Sequence, residues 1–137
     1  MSPLRVLVAE DYAPFWEFIR SMLAERPDVQ IIGEVADGLE AVQKAELLEP
    51  DLVLLDIGLP TLNGIEAARR IRKLAPASKI IFLSQESSSE VLQEALKLGA
   101  WGYVVKTRAT SDLLAAVDVF LAGRQFVSAG LAIQNLN

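Results

Sequence analysis

Residues 52–60 read Leu52-Val53-Leu54-Leu55-Asp56-Ile57-Gly58-Leu59-Pro60. The run is apolar without alternation up to Asp56, and a glycine and a proline then interrupt regular structure. A strand with one wet face alternates apolar and polar side chains, whereas an uninterrupted apolar run fits a strand covered on both faces, as in a parallel sheet between helices. The carboxylate of Asp56 then falls at the strand's C-terminal end, on the edge where open parallel sheets bind ligands.

Outward from this run, similar segments occur at Leu4 to Ala9, Val29 to Val35, Ile80 to Leu83 and Tyr103 to Val105. Segments of helical period separate them. Phe15, Phe18, Ile19, Met22 and Leu23 recur at helical spacing in the first. Asp37 with Glu40, Asn63 with Glu66, and Ser87 with Glu90 resemble capping boxes, in which a short polar side chain and an acid three residues on satisfy free amides. Gly99 and Gly123 are placed as C-terminal caps. The last helix, Ser111 to Ala122, sets Leu114, Val117 and Leu121 on one stripe. Strand-helix alternation with short connections predicts an α/β fold, a doubly wound parallel sheet of five strands with five helices. The predicted domain is 1–123. Residues 124–137 carry one charge, Arg124, and read as a tail or the start of a linker.

The 137-residue chain is 52% hydrophobic and 23% charged, enough for a core without covalent staples. It has no cysteine and no histidine, which excludes disulfides, thiol chemistry, Cys/His zinc sites and Ser-His-Asp hydrolysis. Its net charge of -5 argues against direct duplex DNA binding, which rests on phosphate neutralisation. No apolar run is long enough to span a membrane. Met1-Ser2-Pro3 leads directly into the first strand with no signal-peptide pattern, so the expected location is cytoplasmic.

Four of the five predicted strands end in polar side chains: Glu10-Asp11, Asp56, Ser84 and Lys106. Each has an ordinary role open to it: Asp11 as a helix cap, Asp56 in a turn, Ser84 bonded to its own backbone, Lys106 in solvent. Together they would converge on one sheet edge. Clustered carboxylates repel one another unless a cation intervenes, and a hard divalent ion with oxygen ligands, such as Mg2+, suits the set. A carboxylate can also be a nucleophile towards phosphorus, with the cation and lysine neutralising phosphoryl oxygens.

With these residues the chain resembles the receiver domain of two-component response regulators over about residues 4–123. The pattern comprises Glu10-Asp11, Asp56 through Pro60 to Asn63-Gly64, Ser84, Gly99-Ala100, Tyr103 and Lys106. Residues 64–72 and the close at Gly123 to Ser128 look most like the NarL/FixJ (LuxR-type) subfamily. The resemblance implies a flavodoxin-like sheet of order 2-1-3-4-5. It implies Asp56 as phosphoacceptor from a cognate histidine kinase or phosphotransfer protein. Glu10, Asp11, Asp56 and the Gly58 carbonyl would hold Mg2+ or Mn2+, and Lys106 would contact the phosphoryl group. Ser84 and Tyr103 would be the switch pair. It further implies a readout face over the fourth helix, fifth strand and fifth helix that controls homodimerisation or a C-terminal DNA-binding output domain. DNA would be reached only through that domain.

Single residues depart from the family pattern or stand out. Thr107 follows Lys106 where many relatives have a cis proline. Gly58 replaces a larger side chain and could open the site to water, while Glu86 flanks the access path and would oppose an acidic small-molecule donor. Trp16, beside the active edge, is a candidate kinase contact, because tryptophan is enriched at binding hot spots. Trp101 is expected on the same side of the fifth strand as Tyr103, on the readout face, as a candidate dimer contact.

The reading is a phosphorylatable switch, not a turnover enzyme. The rivals are a natural single-domain receiver acting by protein contacts, a receiver that has lost phosphorylation, a small Mg-dependent phosphatase with Asp56 as nucleophile, and a flavodoxin-like cofactor binder. The phosphatase reading lacks the customary second aspartate, since Gly58 stands there. The cofactor reading lacks a glycine-rich loop after the first strand.

Overall fold

A computed structural model describes residues 2–85 and 88–128 of the chain. The expectations on Glu86 and on Ser87 as a helix cap lie outside the described residues. The elements run β1 (Leu4–Ala9), α1 (Ala13–Ala24), β2 (Val29–Val35), α2 (Gly38–Leu48), β3 (Leu52–Asp56), α3 (Gly64–Leu74), β4 (Lys79–Ser84), α4 (Ser89–Lys97), β5 (Gly102–Val105), a 3-10 turn (Lys106–Arg108), α5 (Ala109–Leu121) and β6 (Phe126–Val127). The sheet order is β2-β1-β3-β4-β5-β6, with every pair parallel.

The apolar run of β3 is buried throughout, and its period of two divides it between two half-cores. Val53 and Leu55 face Ala41, Ala45, Ala67, Ile71, Leu92 and Ala95, on the side of α2, α3 and α4. Leu52 and Leu54 face Ile19, Leu23, Leu113 and Val117, on the side of α1 and α5. Complete burial of each such leucine contributes about 1.5–3 kcal/mol.

The helix starts at Asp37 and Asn63 are capped as the sequence predicts: their side chains accept from the N–H of Glu40 and Glu66 at 2.8 and 2.9 Å. The start of α4 differs, because Ser88 is the cap and accepts from Val91 N–H at 3.2 Å. Gly99 and Gly123 adopt φ of +82° and +76°, the left-handed geometry that ends α4 and α5.

Three further expectations change. The sheet has six strands, not five, because Phe126–Val127 pairs parallel with Gly102 and Tyr103. Next to it Ser128 is fully buried, and its Oγ accepts from Val105 N–H at 3.0 Å. The buried stripe of α5 runs through Leu113, Ala116 and Val117, while Leu121 is 48% exposed. With apolar residues on most sides of this helix, periodicity does not choose between Leu113 and Leu114. Finally, Trp101 precedes β5, so strand alternation does not set its side. Its ring meets Phe120 of α5 edge-on at 5.8 Å, whereas Tyr103 is buried in the other half-core.

Candidate phosphoacceptor site

The parallel register carries the ends of β1, β3, β4 and β5 to one edge. Asp56 pairs with Leu83 and Ser84 with Val105, so Asp56, Ser84 and Lys106 reach that edge on adjacent strands. Glu10 and Asp11 follow β1 on the other side of β3. The loop after Asp56 is drawn tight by Gly64, whose N–H donates to Ile57 O at 2.8 Å. A Cβ at Gly64 would lie 2.3 Å from the Asp56 carbonyl oxygen, so the start of α3 can close under Asp56 only without a side chain there.

Asp11, Tyr12, Asp56, Gly58, Ser84 and Lys106 line an open cleft at this edge. Glu10 and Asp56 are almost fully buried and Asp11 is exposed. Asp56 Oδ1 accepts from Gly58 N–H at 3.0 Å, and Oδ2 lies 3.3 Å from Lys106 Nζ. Glu10 Oε2 accepts from Tyr12 N–H at 3.0 Å. Asp11 is not used as a helix cap, because the α1 cap is Tyr12 and no side chain caps that helix. Lys106 is trans to Thr107, since no cis peptide bond occurs among the described residues.

Burial raises the Asp56 carboxyl above its ordinary range. The Gly58 N–H and the Lys106 ammonium work against that rise, and Asp11 adds to it. Burial likewise raises Glu10, opposed by Lys106 and the Tyr12 N–H and reinforced by the charge of Asp56. One ammonium therefore does not fully compensate the buried carboxylates. Glu10 Oε1 shows the same shortfall. It is buried, and its near neighbour is Lys106 Nζ at 2.8 Å, the same ammonium that faces Asp56. One oxygen each from Glu10, Asp11 and Asp56 lies within 4.8 Å of the others. An all-oxygen set with residual negative charge fits a hard divalent cation.

Residues 6–118 match the response regulator receiver domain family. The chain belongs to this family. Its receiver sequence is 32% identical over 129 residues to the nitrate/nitrite response regulator NarL of Escherichia coli, covering 94% of this chain and 60% of that protein. It is 40% identical over 112 residues to a protein-glutamate methylesterase/protein-glutamine glutaminase of Methanosarcina acetivorans, covering 80% of this chain and 32% of the relative. Among solved structures, a LuxR-family two-component response regulator from Aurantimonas matches with TM-score 0.89 and 33% identity, covering 96% of this chain and 94% of that one. The NarL and LuxR-family matches agree with the NarL/FixJ-like resemblance. The chain thus spans less than two thirds of the curated relatives just named.

The receiver fold gathers Glu10, Asp11, Asp56, Gly58, Ser84 and Lys106 at one cleft. Tyr103 is wholly buried beside the β4 partner Phe82, two residues from the level of Ser84 and Val105. Trp16 lies outside the cleft, half-buried on α1 with the Arg20 guanidinium 5.2 Å from its ring. Trp101 is also outside it.

Two features escaped the sequence reading. Phe15, assigned only to the α1 core stripe, also has its ring 4.9 Å from Lys106 Nζ. Asp112 is buried at the start of α5, where it accepts from Ser111 Oγ at 3.0 Å and Arg108 Nε at 3.3 Å. Burial pushes its carboxyl up, but hydrogen bonds from Ser128 and Ser111 and the charge of Arg108 outweigh this and hold it below its ordinary value. The Pro14 helix start is a visible signal for Phe15; of the partners of Asp112, Arg108 and Ser111 are local, while nothing local signals Ser128.

Proposed function

We propose that Asp56 is the phosphoacceptor of this response regulator receiver, taking a phosphoryl group from a histidine kinase or phosphotransfer protein. The observation that carries the reading is the placement of Asp56 in the cleft, 3.3 Å from the Lys106 ammonium and within reach of Glu10 and Asp11. An Asp56 carboxylate oxygen forms the new bond to phosphorus as the phosphorus–nitrogen bond to the donor imidazole breaks. The donor nitrogen leaves with the bonding pair, and the imidazole takes a proton from solvent water. Lys106 donates to the phosphoryl oxygens, and the Ser84 hydroxyl, at the end of the neighbouring strand, donates to one of them. Glu10, Asp11, Asp56 and the Gly58 carbonyl would hold Mg2+ or Mn2+, which supplies charge neutralisation when bound.

Phosphorylation adds a dianionic group and so favours whichever arrangement of the loops after β3 and β4 contacts it best. Ser84 and Tyr103 are the switch pair, and the surface of α4, β5 and α5 is the readout. That surface controls homodimerisation or an output domain that reads DNA, a reading supported by the likeness to NarL and to a LuxR-family response regulator. Trp16 serves kinase contact and Trp101 dimer contact. Residues 1–123 with β6 form the receiver. Phosphotransfer from a kinase places the protein in the cytoplasm. The protein acts in its own phosphorylation and dephosphorylation and is not a turnover enzyme.

The test is beryllofluoride binding in Mg2+, measured by calorimetry. One site should bind in the wild type and none in Asp56→Asn. Binding that survives the substitution contradicts the reading, and rapid multiple turnover of a phosphate ester favours the phosphatase alternative.

A further inference from the structure

We infer that Phe15 is a positioning residue for Lys106, holding the ammonium at the cleft through the face of its ring. The inference deepens the reading of Asp56 as phosphoacceptor and rests on it.

Lysine is a flexible four-carbon stem ending in a strongly hydrated charge, and such a group is poorly fixed by charge contacts alone. Here Lys106 follows β5 directly, and its side chain is only 11% exposed. Its Nζ lies 2.8 Å from Glu10 and 3.3 Å from Asp56, on the carboxylate side of the cleft. The Phe15 ring provides another side, 4.9 Å from Nζ to the ring centroid, within the range of a cation–π contact.

The ring is itself held. It stacks on Phe18 at 5.5 Å with 29° between planes, and both pack on the half-core that includes Ile19. Pro14 lies in the first turn of α1, and Phe15 N–H donates to Tyr12 O at 3.0 Å. The loop that presents Glu10 and Asp11 therefore also sets the ring beside Lys106. An aromatic face attracts an ammonium without accepting a strong hydrogen bond from it. It keeps water from that side and leaves the N–H groups for carboxylate and phosphoryl oxygens.

The experiment uses the full chain with Mg2+ and beryllofluoride, comparing wild type, Phe15→Leu, Phe15→Tyr, Asp56→Asn and chains with mono-, di- and trifluorophenylalanine at position 15. Loss of the ring face in Phe15→Leu should raise the beryllofluoride Kd about 3-fold to 10-fold, the size of a partly desolvated cation–π contact. Phe15→Tyr should stay near wild type, and each added fluorine should raise Kd further. Without ligand, the upfield ring-current shift of the Lys106 ε-methylene protons should vanish in Phe15→Leu and persist in Phe15→Tyr. A Kd unchanged by Phe15→Leu or by fluorination overturns the inference, as does an unshifted Lys106 ε-methylene in the wild type. Binding that survives in Asp56→Asn instead overturns the phosphoacceptor reading.

Discussion

The molecule buries carboxylates in two places and treats them oppositely. At the cleft, Glu10 and Asp56 share a single ammonium, and burial raises both above their ordinary range. At the start of α5, Asp112 is as well buried, yet hydrogen bonds from Ser128 and Ser111 and the nearby Arg108 hold it below its ordinary range. Partner supply separates the two, not burial. The Asp112 cluster is complete: it ties α5 to Ser128, which in turn accepts from Val105 N–H. The cleft is left short of positive charge, which disfavours the bare site and favours an incoming cation.

The largest expected effect falls on the completed cluster. Asp112→Ala strands the buried Ser128 hydroxyl and frees the exposed Arg108, and should destabilise the protein by about 1–3 kcal/mol in urea unfolding. It should leave Mg2+ affinity unchanged. A loss of Mg2+ affinity would merge two regions that the comparison keeps apart.

Asp56→Asn should act in the opposite direction. Without divalent ions it removes a buried, undercompensated charge and should stabilise the fold by roughly 1–2 kcal/mol. Mg2+ should then raise the thermal midpoint of the wild type but barely that of the variant. A destabilised Asp56→Asn in metal-free buffer breaks the comparison.

The pH dependence follows with opposite signs. A carboxyl raised in the folded state binds its proton more tightly folded than unfolded. In metal-free protein, Glu10 and Asp56 therefore remove stability as pH rises from the ordinary carboxylate value through their raised folded values. Asp112, lowered, contributes stability that is complete above the ordinary value and is lost as pH falls through its folded one. Unfolding midpoints across this range should rise less steeply on acidification for Asp56→Asn than for the wild type. The acid-side loss should be reduced in Asp112→Asn. Parallel profiles for all three proteins contradict the assignment.

The smallest effect on stability is expected at Gly58. A Cβ there meets only Asp56 Oδ1, at 3.8 Å, and the residue has no left-handed φ. Gly58→Met should leave unfolding within about 0.5 kcal/mol of wild type. By covering the open side of the cleft it should lengthen the phosphoaspartate half-life. An unchanged half-life shows that water reaches Asp56 by another route.

How far the sequence revealed these regions differs for the same physical reason. The strands β1 to β5 are legible because each is a multi-residue apolar run, and the caps at Asp37 and Asn63 because their chemistry is local. The gathering of Glu10, Asp11, Asp56, Ser84 and Lys106 is legible because parallel strands bring their C-terminal ends to one edge. The strand β6 is not, since Phe126–Val127 is too short to show a period and forms only against β5. Asp112 is hidden for a related reason: its partner Ser128 lies beyond the end of α5. Phe15 is read as core because its helical spacing already explains an aromatic ring.

The most direct test of the central claim is to map the phosphoryl group. The chain is incubated with Mg2+ and acetyl phosphate, the acyl phosphate is trapped by borohydride reduction, and peptides are sequenced by mass spectrometry. Homoserine is expected at position 56 and at no other carboxyl, with none in Asp56→Asn. Reduction at another carboxylate, or a trapped product that persists in Asp56→Asn, would contradict the claim.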